Sequence, residues 1–424
     1  MPDLFTLLFQ VAVIATAART AGILFRLIGQ PQVVGEMAAG IMLGPTLLGW
    51  AWPQASAVLF PADSLAALNI LSQIGLLLFM FLVGLEFNPK LLRGLGHVAV
   101  MTSHVSIVAP FLLGAMLALL LYPELSDDRV GFTEFALFVG AAMSVTAFPV
   151  LARILHERQL HRTQLGTVAI ACAAVDDVTA WCLLAYIVAF VRSAHEATPL
   201  WLTLGGLTLY ILLMVFAVRP LLAKLFAVSR RGRAPGEDMT AVVLVLLLVS
   251  AMTTEWLGVH LLFGAFLFGA VMPKESRFVA HLTERIESVT LILFLPIFFA
   301  YTGLRTSIGL LDSPTMWWLC GLVLATAIVG KLAGSAIAAR VAGMEWRDAT
   351  AVGVLMNTRG LMELVILNIG LNLGIISPAL FSMMVVMALA TTFMTTPLLE
   401  WIRPARSLQR EEIVSVQEYA YSES

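Results

Sequence analysis

The chain has 424 residues, 60% of them hydrophobic and only 12% charged, with a mean hydropathy of +0.93. A water-soluble domain of this size needs far more polar surface to cover its core, and the apolar residues come in runs of about 20, long enough to cross a bilayer. The net charge of −2 leaves no global basic field for a nucleic-acid partner.

The length rule gives an all-α polytopic membrane protein with about 13 spanning helices. They run over 4–25, 33–49, 64–84, 97–121, 133–155, 166–191, 199–223, 239–255, 259–273, 288–304, 316–340, 347–370 and 378–400. Met1-Pro2-Asp3 offers neither a basic n-region nor a small-residue cleavage site, so the first run reads as a retained helix. The second and ninth helices are short. The fifth is interrupted near its middle by Ser144-Val145-Thr146-Ala147-Phe148-Pro149, where proline removes a helix hydrogen bond and frees a carbonyl. The sixth carries two adjacent acids, Asp176 and Asp177, near its midpoint. Between the seventh and eighth lies the longest polar interruption, the basic loop Ser229 to Asp238. The eleventh has Lys331 at mid-membrane, and the twelfth is broken at Met356-Asn357-Thr358-Arg359-Gly360 with Glu363 just beyond. The tail from 401 to 424 is polar.

Cys172, Cys182 and Cys320 all fall inside apolar runs at no metal or redox spacing and read as packing residues. His156 and His161 read as solvated loop residues. Trp50, Trp52, Trp317 and Trp318, near helix ends, read as interface anchors. Glu86 and Arg305 read as solvated terminal charges.

The positive-inside rule fixes an orientation. With the N-terminus outside and the C-terminus cytoplasmic, 19 of the 25 basic residues fall on the cytoplasmic side. Only Arg129, Arg192 and Arg305 fall outside, and Arg19, Lys331 and Arg359 lie within spans. A missed helix would scramble this asymmetry. The two halves also echo each other. Gly35 to Gly40, leading to Pro45, parallels Gly264 to Gly269, leading to Pro273. Phe79 to Glu86 parallels Phe298 to Arg305. The second copy begins seven helices after the first, and an odd offset inverts the repeat in the membrane, an arrangement found in secondary transporters.

Charges at membrane depth are costly and mark function by default. Adjacent carboxylates point about 100° apart on a helix, so Asp176 and Asp177 can share one cavity without sharing one proton. Such a carboxylate can coordinate a dehydrated cation or carry a proton, and the two then compete for one site. Two midpoint interruptions seven helices apart, with the acids on the helix after the first, point to an ion site where broken helices cross. Arg359 is placed to neutralise a helix C-terminal end, with Glu363 as its i,i+4 partner.

These residues resemble a known family. Gly29-Gln30-Pro31-Gln32-Val33-Val34-Gly35-Glu36 with Gly44-Pro45 looks like the second-helix motif of the monovalent cation/proton antiporter-2 family. Asp176-Asp177 resembles its acidic ion site. Asn357-Thr358-Arg359-Gly360-Leu361-Met362-Glu363-Leu364 is similar to its twelfth-helix motif. The likeness covers roughly residues 5 to 400. It implies the sodium/proton antiporter fold with inverted repeats and two broken crossing helices, usually a homodimer in the inner (cytoplasmic) membrane. It implies exchange of protons for sodium or potassium by an elevator movement, with no cofactor besides the transported ions. Core helices would be about 97–191 and 316–400, dimerisation and scaffold helices about 4–84 and 239–304, and a linker about 199–223. Asp177 would be the cation and proton carrier, Asp176 the second acid and Lys331 its salt-bridge partner. Thr146, Asn357 and Thr358 would line the crossing. Glutathione-gated members carry a large nucleotide-binding domain after the last helix. The two dozen residues here lead us to expect no such gating.

A sodium-coupled solute symporter of similar fold is the alternative reading, but it needs a polar lining of substrate size beyond the ion site, for which the spans offer few candidate groups. A channel differs by carrying current without proton coupling. An intramembrane aspartyl protease needs two aspartates on different helices facing one bond, which adjacent Asp176 and Asp177 do not offer, so no enzyme activity is expected.

Overall fold

The computed structural model describes residues 4–86, 97–126, 130–158, 160, 163–195, 200–229, 237–273 and 277–403. The tail beyond Arg403, most of the Ser229–Asp238 loop, His161 and the basic residues Lys90, Arg93, Arg129, Arg162, Lys274, Arg406 and Arg410 lie outside the described residues.

Every regular element among the described residues is helical. Eleven helices are long and apolar enough to cross a membrane. A twelfth span is the pair Trp346–Met356 and Leu361–Asn372, bent by 42°, and Leu261–Val271 is a shorter apolar helix. Together they account for the thirteen segments expected, with instructive differences at the ends. The second span stops as a regular helix at Leu43, not at 49, because Pro45 cannot donate to the preceding turn and pushes Gly44 out of helical geometry. The tenth begins at Arg277 rather than 288. Its first part, Arg277–Val289, carries Arg277, His281, Glu284, Arg285 and Glu287 on one amphipathic helix, which a hydropathy criterion does not register. Two spans start alike. Ser313 and Ser377 accept from the backbone N–H groups of Met316 and Leu380, each at 3.3 Å, ahead of Pro314 and Pro378.

The chain forms two compact units. The first comprises Met1–Leu24, Gly35–Arg93 and Thr179–Leu310, and the second Phe25–Val34, Gly94–Val178 and Leu311–Ser424. In the first unit, the Leu4–Leu27 helix buries only Gln10, Ile14, Ala18 and Gly22, a single stripe at intervals of four residues. The rest of its apolar surface faces outward, as suits lipid. Ile14 joins Leu68, Ile297 and Ala300 in the unit's core.

The sequence echo has a physical counterpart here. A Cβ on Gly40 would lie 2.3 Å from the Phe299 carbonyl oxygen, and one on Gly303 would lie 2.0 Å from the Gly40 carbonyl oxygen. In the equivalent crossing, a Cβ on Gly84 would lie 2.2 Å from the Phe266 oxygen, and one on Gly269 would lie 2.2 Å from the Phe81 oxygen. Gly40 pairs with Gly303 as its repeat equivalent Gly269 pairs with Gly84. Two symmetry-related crossings therefore bring backbone against backbone, which only glycine permits and which serves helix association where water supplies no driving force.

Cys172 and Cys320 are buried, but Cys182 is exposed. The packing role expected of all three is corrected for Cys182, which sits on an outward face of its helix. Trp50, Trp52, Trp317 and Trp318 are exposed as anchors should be.

Gly303→Ala is expected to lower the unfolding temperature of the purified protein, at a cost of about 1–3 kcal/mol from overpacking. Gly321→Ala, where a Cβ meets open space, should leave it unchanged. Equal melting curves for the two variants would refute the crossing argument.

Candidate functional site

All the site residues expected from sequence lie in the second unit. Its first interrupted helix consists of Phe132–Ser144 and Phe148–Glu157. Val145 and Ala147 are extended between them (φ −74°, ψ 140° and φ −86°, ψ 92°), and Pro149 sits in the first turn of the second piece, where its missing N–H costs nothing. The second interruption lies between Met356 and Leu361. The two breaks touch through backbone, since the Ala147 N–H donates to the Thr358 carbonyl at 3.0 Å.

Arg359 is fully buried and faces the first broken helix. Its guanidinium donates to the carbonyls of Ala142 (3.0 Å) and Met143 (2.7 Å), the last turn of Phe132–Ser144, and to Glu363 at 3.1 Å. Those carbonyls lack helical donors and carry the negative end of the helix dipole. Thr392, on the last helix, completes the second break. Its hydroxyl donates to the Arg359 carbonyl at 2.7 Å and accepts from the Arg359 N–H at 3.1 Å. Thr358 lies 3.4 Å from the Thr395 hydroxyl, and Asn357 donates weakly to the Met394 sulfur at 3.9 Å.

The acidic pair sits on the helix Gln164–His195, with Asp176 and Asp177 both buried. The Lys331 ammonium lies 2.6 Å from Asp176 Oδ2. Lys331 occupies a π-helical turn, Val329–Ala333, whose extra residue turns the side chain relative to a regular helix. The turn is pressed against the helix His97–Leu125. A Cβ on Gly330 would lie 2.8 Å from Pro110 Cα, and one on Gly334 would lie 3.1 Å from Ala109 Cβ. That neighbour brings Ser106 to Asp176, at 2.8 Å from Oδ1 and 3.0 Å from Oδ2, while Thr146 donates to Oδ2 at 2.8 Å. Asp176 thus joins residues from three other segments.

Thr146, Asp176, Asp177, Lys331, Thr358, Arg359 and Glu363 therefore converge on the breaks and the helix beside them. Sequence reasoning missed Ser106 and Thr392. Both carry hydroxyls inside apolar spans, Ser106 with Thr102 and Ser103, and Thr392 with Thr391, Thr395 and Thr396. Those clusters were a readable signal. Glu36 belongs to the first unit, where it lies 3.9 Å from Arg19.

Three buried carboxyls (Asp176, Asp177, Glu363) stand here against two buried cations (Lys331, Arg359). With all five ionised the constellation carries one negative charge, and its oxygens are the ligand type that suits a hard cation.

The family model for the transmembrane part of sodium/hydrogen exchangers matches residues 12–401. The chain belongs to the sodium/hydrogen exchanger family. This exchanger-family chain is 45% identical to the Na(+)/H(+) antiporter NhaS4 of Synechocystis, over 95% of this chain and 98% of that one. It is 38% identical to Cation/H(+) antiporter 17 of Arabidopsis thaliana and 35% identical to K(+)/H(+) antiporter 1 of Saccharomyces cerevisiae, over 96% and 94% of its own length. It spans about half of each of those two relatives, 49% and 46%. In fold it is similar to the sodium proton antiporter MjNhaP1 of Methanocaldococcus jannaschii, with a TM-score of 0.64 at 13% identity, covering 93% of this chain and 96% of that one. The sodium/proton antiporter fold implied by the family resemblance is thus the observed one.

Within this exchanger fold, Arg359→Met should destabilise the protein by about 3–5 kcal/mol, because it leaves Glu363 buried without its cation. Arg359→Met with Glu363→Gln should recover much of that loss. Thermal unfolding of the purified variants measures both, and a double variant no more stable than the single would show that the carbonyl contacts, not the ion pair, dominate.

Proposed function

We propose that the protein is a secondary antiporter that exchanges protons for a monovalent cation, sodium or potassium, with proton and cation competing for Asp177 and Asp176. The carrying observation is that three buried carboxyls stand against two buried cations beside two broken helices. A site with one excess carboxylate accepts either one monovalent cation or one proton and is neutral with either. Uncompensated charge is costly in so dry a place, so occupancy by one ion or the other is favoured over an empty site. The names of the relatives, antiporters of sodium, potassium or unspecified cations with protons, support the same reading.

In this reading Lys331 holds Asp176 as its salt-bridge partner, Thr146, Asn357 and Thr358 line the crossing, and Arg359 with Glu363 keeps the broken-helix ends in place. The second unit is the moving core of an elevator and the first the scaffold that dimerises. The division of the chain into two compact units, one of which holds the whole site, supports this assignment. The glycine crossings of the first unit suit a rigid scaffold. The protein is multi-pass, and the basic asymmetry supports an N-terminus outside and a C-terminus in the cytoplasm, in the inner membrane.

The test is reconstitution into liposomes with an internal pH dye under an imposed proton gradient. Sodium, then potassium, should drive proton movement in the wild type, and Asp177→Asn should abolish it. The salt that responds identifies the cation. Current without proton coupling would favour a channel instead, and silence with both salts from folded protein would overturn the reading.

A further inference from the structure

Three rods of the second unit have nearly the same length. The half-helices Phe148–Glu157 and Trp346–Met356 have 10 and 11 residues, and the last helix, Pro378–Ile402, covers a similar stretch between Thr392 and Ile402. At 1.5 Å per residue each rod spans about 15 Å. One end of all three lies at the breaks. The Ala147 N–H, just ahead of the first rod, donates to the Thr358 carbonyl, just beyond the second, at 3.0 Å. Thr392 of the third rod bonds the Arg359 carbonyl at 2.7 Å and the Arg359 N–H at 3.1 Å.

The far ends of the same rods are joined again. Arg158, which follows Phe148–Glu157, donates to Glu400 of the last helix at 3.3 Å. Arg347, in the first turn of Trp346–Met356, donates to the Ile402 carbonyl at 2.8 Å, and Arg403 donates through Nε to Asp348 of that turn at 2.9 Å. The last helix thus meets both half-helices at the end away from the breaks. In the orientation proposed above, that end faces the cytoplasm. The two ends differ in kind. Thr358, Arg359, Thr392 and Thr395 are buried at the breaks. At the far end the Glu400 side chain is 58% exposed and that of Arg158 is 25% exposed, so water, salt and neighbouring charges reach these contacts. Rods tied at one end pivot, and rods tied at both ends do not. Groups that act on an ion must be held to about 0.5 Å, and here the acting groups include the helix ends at the breaks.

We propose that the last helix is a strut that locks the two half-helices into one frame, and that its charged end, through Glu400 with Arg158 and Arg403 with Asp348, sets the cation affinity of the breaks from about 15 Å away. The four side chains are positioning residues, because they act on the ion only through the rods they hold. Coupling over such a distance needs rigid elements joined in series, which the three rods supply. The inference rests on the antiport reading and adds to it the residues that tune the site.

The experiment compares wild type, Glu400→Arg, Arg158→Glu and the double swap in proteoliposomes, with sodium and then potassium as the driving salt. Each single variant sets like charges against each other, and the double swap restores an opposite pair. The half-saturating cation concentration should rise about two- to fivefold in each single variant, the worth of one exposed ion pair, and should return towards the wild-type value in the swap. A second measurement does not depend on transport. Amide hydrogen exchange of the purified proteins should speed up by a similar factor at the break, residues 356–361, in both single variants and slow again in the swap. A fall in maximal rate or in unfolding temperature with an unmoved half-saturating concentration would overturn the proposal, because it is the signature of a purely structural pair. Faster exchange confined to the charged end, with the break unchanged, also overturns it, as does a swap that restores neither quantity. A wild type that exchanges no cation, with exchange at the break that follows the charge swap, would sink the antiport reading and leave the frame standing.

Discussion

The structure depends first on one constraint. In hydrocarbon, every backbone N–H and C=O must find its partner inside the protein. Two helices of the second unit break that rule locally, at Val145–Ala147 and at Asn357–Gly360, and the surrounding side chains are the repair. Arg359 reaches across to the last carbonyls of Phe132–Ser144. Ala147 bonds Thr358 across the breaks. Thr392 serves both backbone groups of Arg359 with one hydroxyl. In the antiport reading proposed above, each repair also bears on function, because a freed helix end is a fixed partial charge that an ion can use.

The buried charges follow from that arrangement. Arg359 could not sit fully buried at a neutral site, but two helix-terminal carbonyls and Glu363 together replace its hydration. Lys331 is held by a different device, a π turn pressed against the neighbouring helix through Gly330 and Gly334, which aims the ammonium at Asp176. The result is one ion pair that stabilises the break and a second beside it that involves the acidic site. With all five groups ionised, the third carboxyl, Asp177, makes the sum of charges negative.

The first unit solves a separate problem. Helices in lipid gain little from burying apolar side chains against one another, so close approach must supply the attraction. The paired crossings at Gly40 with Gly303 and at Gly84 with Gly269 do this twice, each time between one helix of the first repeat and one of the second. The glycines that make the halves look alike in sequence are thus the contacts themselves.

The sequence by itself determined the membrane class, the number of spans, the repeat, the break positions and the identity of the intramembrane charges. Each of these is a local property: run length, glycine and proline placement, or a charged letter in an apolar word. The i,i+4 pairing of Arg359 with Glu363 was legible for the same reason. Tertiary structure alone decided what lies next to what across many helices. It placed Ser106, 70 residues from Asp176, on that carboxylate, and set Thr392 against a break 33 residues away. It also turned Cys182 outward while burying Cys172, ten residues earlier on the same helix. Spans apolar on every face carry no pattern that says which face meets protein and which meets lipid, because both environments accept the same side chains. Only the packed helices settle that choice, and with it the neighbours of Asp176.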